Sequence, residues 1–138
     1  MLLRRYKLFV SHAWHRDDEY WRVVDMLDSA PYFRWENLSV PEHDPIHSSE
    51  ANVLESSLRD QIRECCAFIA CCGMWVPRSD WILFEVQFAR RIGRPIIGVP
   101  PWGQVTLPVA ISPYADAIAS RQDSLVNAIR ARALAEGM

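Results

Sequence analysis

Short uninterrupted apolar runs alternate along this chain with longer stretches whose apolar residues recur every three or four positions. Residues 7–11 are apolar at the centre, too short for a helix and suited to a buried strand. Residues 17–27 open with acidic side chains and then place Tyr20, Trp21, Val24 and Leu27 at helical spacing. Residues 33–40 read as a second strand. The run Pro41-Glu42-His43-Asp44-Pro45 then enforces a loop, because each proline restricts itself and the residue before it. Helical periodicity returns over 51–64 through Val53, Leu54, Leu58 and Ile62. Residues 65–72 are continuously apolar and end at Gly73, the pattern of a central strand covered on both faces. A helix capped by Ser79 or Asp80 runs to Ile92 and closes at Gly93, with Arg90 and Arg91 suiting its negative end. Residues 95–99 form another buried strand. The proline-rich stretch 100–113 is irregular, with room for one helical turn. Residues 115–120 give a fifth strand and 124–135 a closing helix.

Strands alternating with helices of this length imply βαβ units, hence a parallel sheet wrapped by helices. Five strands predict an α/β, flavodoxin-like, doubly wound sheet, and one domain fills residues 1–138. In such sheets ligands sit at the carboxyl ends of the strands, where strand order reverses. The first and third strands should flank that crevice.

One residue breaks the pattern. Wound at about 100° per residue, Trp81, Ile82, Phe84, Val86, Phe88, Ala89 and Ile92 share one broad arc of the helix before Gly93. Glu85 falls near the middle of that arc. An ionised carboxylate is expensive to desolvate, so Glu85 is paired, protonated, or facing a cleft where charge is useful. From the residues alone, a buried salt bridge and a functional site remain equal alternatives.

Composition narrows the partners. The 138 residues are 50% hydrophobic and 23% charged, with a net charge of -2. Near-neutral charge argues against a dedicated nucleic-acid binder, which needs a basic face. No stretch approaches the roughly 20 apolar residues of a membrane span. The first residues lack the apolar core of a signal peptide, so a cytoplasmic protein is expected. Cys65, Cys66, Cys71 and Cys72 cluster in or beside one strand without a CxxC spacing and read as buried reduced thiols. His43, Asp44 and His47 match no familiar ligand spacing, so no metal is expected. No GxGxxG or P-loop motif is present to cradle phosphate, and no nucleophile elbow or Cys/His arrangement supports serine or cysteine hydrolase chemistry.

Four segments resemble a TIR-type domain, more narrowly the TIR-like family of Thoeris antiphage defence systems. They are Phe9-Val10-Ser11-His12-Ala13-Trp14 with Asp17-Asp18; the long run from Trp35 through Pro41-Glu42-His43-Asp44-Pro45 to Ile46; Ser79-Asp80-Trp81 with Glu85; and Ala115-Asp116 with Asn127-Ala128-Ile129-Arg130. The resemblance implies a flavodoxin-like fold and cleavage of the nicotinamide–ribose bond of NAD⁺, with Glu85 as the catalytic carboxylate. It further implies cyclisation of the ADP-ribose into a diffusible nucleotide that activates a partner effector. NAD⁺ is then substrate rather than cofactor, and assembly through TIR–TIR contacts is expected. Two departures stand out: Ile82 occupies a position where many TIR domains carry cysteine, and the chain is short.

The expected roles of other residues follow from placement. Ser11, His12 and Trp14 follow the first strand and could meet phosphate, ribose or base, while His15 is equally a solvated loop residue. Trp81, one turn before Glu85, is either a substrate contact or core. His43 and Asp44 sit in the loop that gates or assembles the site in TIR domains. A non-catalytic adaptor acting through homotypic contacts is the main alternative, and a nucleoside ribosyltransferase-like enzyme a third.

Overall fold

The computed structural model of the chain describes residues 3–11, 18–39, 51–72 and 75–135, and within these only the backbone of 51–55 and 75–81. Strands β1 (Arg5–Val10), β2 (Arg34–Asn37), β3 (Ala67–Cys71), β4 (Ile96–Val99) and β5 (Ala117–Ile118) form one sheet. Helices α1 (Asp18–Asp28), α2 (Ala51–Glu64), α3 (Trp75–Arg91) and α4 (Gln122–Arg132) separate or follow them. The strand order is β2-β1-β3-β4-β5 and every neighbouring pair is parallel, which is the flavodoxin-like winding expected from the alternation. Strand order reverses between β1 and β3, so the carboxyl ends of those two strands define the crevice.

Period-two alternation splits the strand residues between two cores. Leu8, Val10, Ala67, Ile69, Cys71, Ile97 and Val99 pack with α1 and α4 on one face. Phe9, Phe68, Ala70, Cys72 and Ile96 pack with α2 and α3 on the other, where Phe9 and Phe68 stack at 5.3 Å across β1 and β3. All five β3 residues are buried, as a continuous apolar run requires of the central strand.

Several boundaries differ from expectation for local reasons. Helix α3 starts at Trp75, four residues before Ser79, because Pro77 falls in the first turn, where no intrahelical N–H is required. Ser79 and Asp80 therefore lie inside the helix rather than capping it. Helix α4 starts at Gln122, and Ser124 turns its hydroxyl back to accept the Arg121 N–H at 3.2 Å. In α1 the buried stripe is Tyr20, Val23, Val24 and Leu27. Trp21 stands beside it, 44% exposed, with its ring edge-on to Tyr20 at 5.1 Å. Strands β2 and β5 are shorter than their patterns because only their pairing segments reach a neighbour. The expected helical turn in the proline-rich stretch is a single 3₁₀ turn, Ser112–Tyr114.

Helix α3 ends in a cap that its sequence announces. Gly93 adopts φ 78°, its N–H bonds the carbonyl of Arg90 at 3.1 Å, and the Arg94 N–H reaches back to Ala89 at 2.9 Å. This six-to-one closure needs a left-handed residue, which glycine supplies without strain.

Candidate functional site

The floor of the β1/β3 crevice is tied together by two buried serines. Ser11, directly after β1, donates its N–H to Ile69 at 2.9 Å, and its Oγ accepts the Cys71 N–H at 3.1 Å. Both bonds cross to β3, so they continue the ladder beyond the last paired residues. Ser39 does the same on the other side of β1. Its Oγ accepts the Val10 N–H at 2.9 Å and donates to the Val10 carbonyl at 2.8 Å, while its own N–H is held by Asn37 Oδ1. Asn37 in turn donates to the Tyr20 hydroxyl of α1 at 2.9 Å. The end of β1 is thereby fixed from both flanks.

Glu85 is the anomalous group. It is 2% exposed, and its Oε1 is buried without a hydrogen-bond partner. Its neighbours one turn away, Ile82, Phe88 and Ala89, are buried apolar residues of the α2/α3 core, as is the adjacent Val86. Burial pushes its carboxyl well above the usual carboxylate range, and no charged group contributes to the shift. Among the described residues no cation pairs with it, so the salt-bridge alternative finds no partner. Within the described structure, desolvation alone therefore shifts this carboxyl toward its protonated form.

The thiols nearby do not compete for that role. Cys65 and Cys72 are free and buried, and burial pushes both up to about 12, so neither supplies a thiolate near neutral pH. Cys71 is also buried and Cys66 half-buried, and neither is in a disulfide.

The rim carries a second fixed assembly that the sequence did not disclose. After β4 the chain turns over α1, where the Trp102 N–H bonds Glu19 Oε1 at 2.8 Å. Arg22 bonds Glu19 Oε2 at 2.8 Å and the Pro100 carbonyl at 3.2 Å, and its guanidinium lies 5.1 Å from the Trp102 ring centre. Further on, Leu107 and Ile111 enter the α2/α3 core instead. This loop thus straddles the carboxyl edge of β4, anchored on both faces.

The sequence-selected residues divide three ways. Glu85 and Ser11 are described, Glu85 as a buried carboxyl whose Oε1 has no hydrogen-bond partner among the described residues and Ser11 as a fully buried part of the floor. Trp81 is placed in α3, one turn before Glu85, by its backbone alone. His12, Trp14, His15, His43, Asp44 and His47 lie outside the described residues. Ser39 was missed. Its one available signal was the Asn37-x-Ser39 spacing, which favours a side-chain-to-backbone turn just beyond a strand. The described residues hold no group of three or more His, Cys, Asp or Glu able to bind a metal, and no helix among them is long and apolar enough to cross a membrane.

A family model for the Thoeris protein ThsB, TIR-like domain, matches residues 9–106, which include the floor, Glu85 and Trp102. The solved structure of the Clostridium botulinum CMP N-glycosidase, BcmB, is similar in fold. It aligns at a TM-score of 0.53 and 20% identity, covering 91% of this chain and 98% of that one. No curated protein matches the sequence.

Proposed function

The chain belongs to the Thoeris ThsB TIR-like family, and from that membership and the unpaired Glu85 carboxyl we propose that it cleaves the nicotinamide–ribose bond of NAD⁺. The carrying observation is Glu85 itself, buried at 2% exposure with Oε1 unbonded. A structural carboxylate acquires a cation or hydrogen-bond donors, because desolvating it alone is costly. Glu85 has acquired neither on Oε1. The nicotinamide ring nitrogen of NAD⁺ carries the positive charge that would draw the proton off Glu85 on binding. As the C–N bond breaks, that charge passes to an oxocarbenium-like ribose, which the same carboxylate stabilises. Nicotinamide leaves as a neutral molecule and needs no proton.

In this reading the ADP-ribose then folds so that one of its own hydroxyls attacks the anomeric carbon. Glu85 accepts the hydroxyl proton, with water kept out. The cyclic product is the diffusible signal to an effector in antiphage defence, made in the cytoplasm. Ser11 serves as floor, holding β1 against β3 beneath the ribose. His12, Trp14 and Trp81 are the proposed substrate contacts, while His43 and Asp44 belong to the loop that gates or assembles the site between copies of the chain.

A nucleotide N-glycosidase is the second reading, favoured by the fold shared with a CMP N-glycosidase. Both reactions pass through a ribosyl cation and both could use Glu85. The adaptor alternative gives a buried unpaired carboxyl nothing to do.

The test is product profiling by mass spectrometry after incubation with NAD⁺ or with CMP, over a range of protein concentrations to allow assembly. Nicotinamide release from NAD⁺ is expected, falling about 100-fold or more in Glu85→Gln with the circular dichroism spectrum unchanged. Cytosine release from CMP with NAD⁺ untouched would select the second reading. A folded Glu85→Gln protein that consumes NAD⁺ at the parent rate would remove Glu85 from the mechanism.

A further inference from the structure

A cavity of about 410 Å³ opens at the amino edge of the sheet, the end opposite to the β1/β3 crevice. Arg94 and Pro95 lead into β4 there, Asp116 precedes β5, and Arg90 and Arg132 come from the last turns of α3 and α4. We propose that this cavity is a second binding site, taking a phosphoryl-bearing small molecule.

Charge is the first support. Three guanidinium groups face one carboxylate. The ends of α3 and α4 add roughly half a negative charge each. The sum still favours an anion by about one unit.

Bonding is the second. If these arginines served only as helix caps, they would donate to the last carbonyls of α3 and α4. Arg90 instead donates Nη2 to the Tyr114 carbonyl at 2.5 Å and stands 3.8 Å from Asp116 Oδ1. Arg94 donates Nη2 to the Arg63 carbonyl at 2.5 Å and Nη1 to the Ile92 carbonyl at 3.2 Å. Carbonyls outside α3, of Tyr114 and Arg63, thus hold one end of each group, while Arg94 also caps α3 through Ile92. Their capacity is far from used, since each guanidinium carries five donor hydrogens. Arg94 Nε is buried with no partner, an N–H already stripped of water. Arg132 makes no hydrogen bond or ion pair among the described residues. The one carboxylate is shared, because Asp116 Oδ2 accepts the Ile96 N–H at 2.8 Å while Oδ1 faces Arg90 at 3.8 Å.

Two pre-placed guanidinium forks and a third uncommitted one match the several acceptor oxygens of a phosphoryl group better than a single carboxylate. The opening is broad enough to admit more than bare phosphate, which suits a phosphoryl group carrying an organic part.

Isothermal titration at constant ionic strength tests this, with inorganic pyrophosphate and ADP as probes against the parent protein, Arg132→Gln, Asp116→Asn and Glu85→Gln. Saturable binding is expected, one-to-one for pyrophosphate and tighter for ADP. Arg132→Gln should weaken it about tenfold, Asp116→Asn should tighten it, and Glu85→Gln should leave it unchanged. Because the two cavity variants move affinity in opposite directions, a folding defect in one cannot mimic the result. Absence of saturable binding by either probe, binding indifferent to Arg132→Gln, or binding lost in Glu85→Gln would each overturn the proposal. The outcome does not depend on whether the protein cleaves NAD⁺.

Discussion

A carboxyl group buried as deeply as that of Glu85 leaves a pH signature on the fold. In the unfolded chain Glu85 loses its proton near the ordinary carboxylate value, whereas burial raises the value in the native state. Between those two values the native protein holds one more proton than the unfolded chain. Stability from this group is therefore complete below the unfolded value and is lost as pH rises through the folded one. Glu85→Gln removes the titration while keeping shape and neutrality. Melting curves of the two proteins should nearly coincide at pH 4, and the variant should melt progressively higher as pH rises toward 8. Parallel profiles would mean that Glu85 is ionised and compensated in the native state. The position of this residue was legible in sequence because a charge interrupts an otherwise apolar arc. Ser39 was not. Its partner Val10 is 29 residues away, and nothing local distinguishes a serine that latches a strand from one that faces water.

At the scale of elements, periodicity located every strand and helix among the described residues, and its errors were confined to ends. The sites where the loops attach escaped it. The stretch after β4 reads as proline-rich and irregular, yet Leu107 lies against Gly98 so closely that a Cβ there would stand 2.5 Å from its Cδ1. Glycine in a central strand weakens it, and here its use is to admit the loop. Gly98→Ala forces Leu107 aside and should cost about 1–3 kcal/mol in urea denaturation. Leu107 is a flexible side chain, so truncating it makes room. On a Leu107→Ala background the same glycine change should cost much less. An undiminished cost in the double variant would place the strain in the strand backbone instead of the loop contact.

The whole molecule consists of two apolar cores separated by one sheet, and this division decides how defects combine. Ile69 belongs to the α1/α4 core, whereas Glu85 lies on α3 against the opposite face. Truncating Ile69, fully buried in the central strand, should cost about 2–5 kcal/mol. A domain of this kind has roughly 5–15 kcal/mol in total. Glu85→Gln should return part of that loss at pH 8, where the native carboxyl is most unfavourable, and almost none at pH 4. Residues without shared partners act additively to within about 0.5 kcal/mol. The gain from Glu85→Gln should therefore be the same in the parent and in Ile69→Ala, measured as a double-mutant cycle in urea at each pH. A coupling above about 1 kcal/mol would mean that the sheet transmits strain from one core to the other. In that case the site would not be energetically separate from the fold that carries it. Additivity, combined with loss of NAD⁺ cleavage in Glu85→Gln, would mean that the molecule gives up stability on one face alone to keep a reactive carboxyl there.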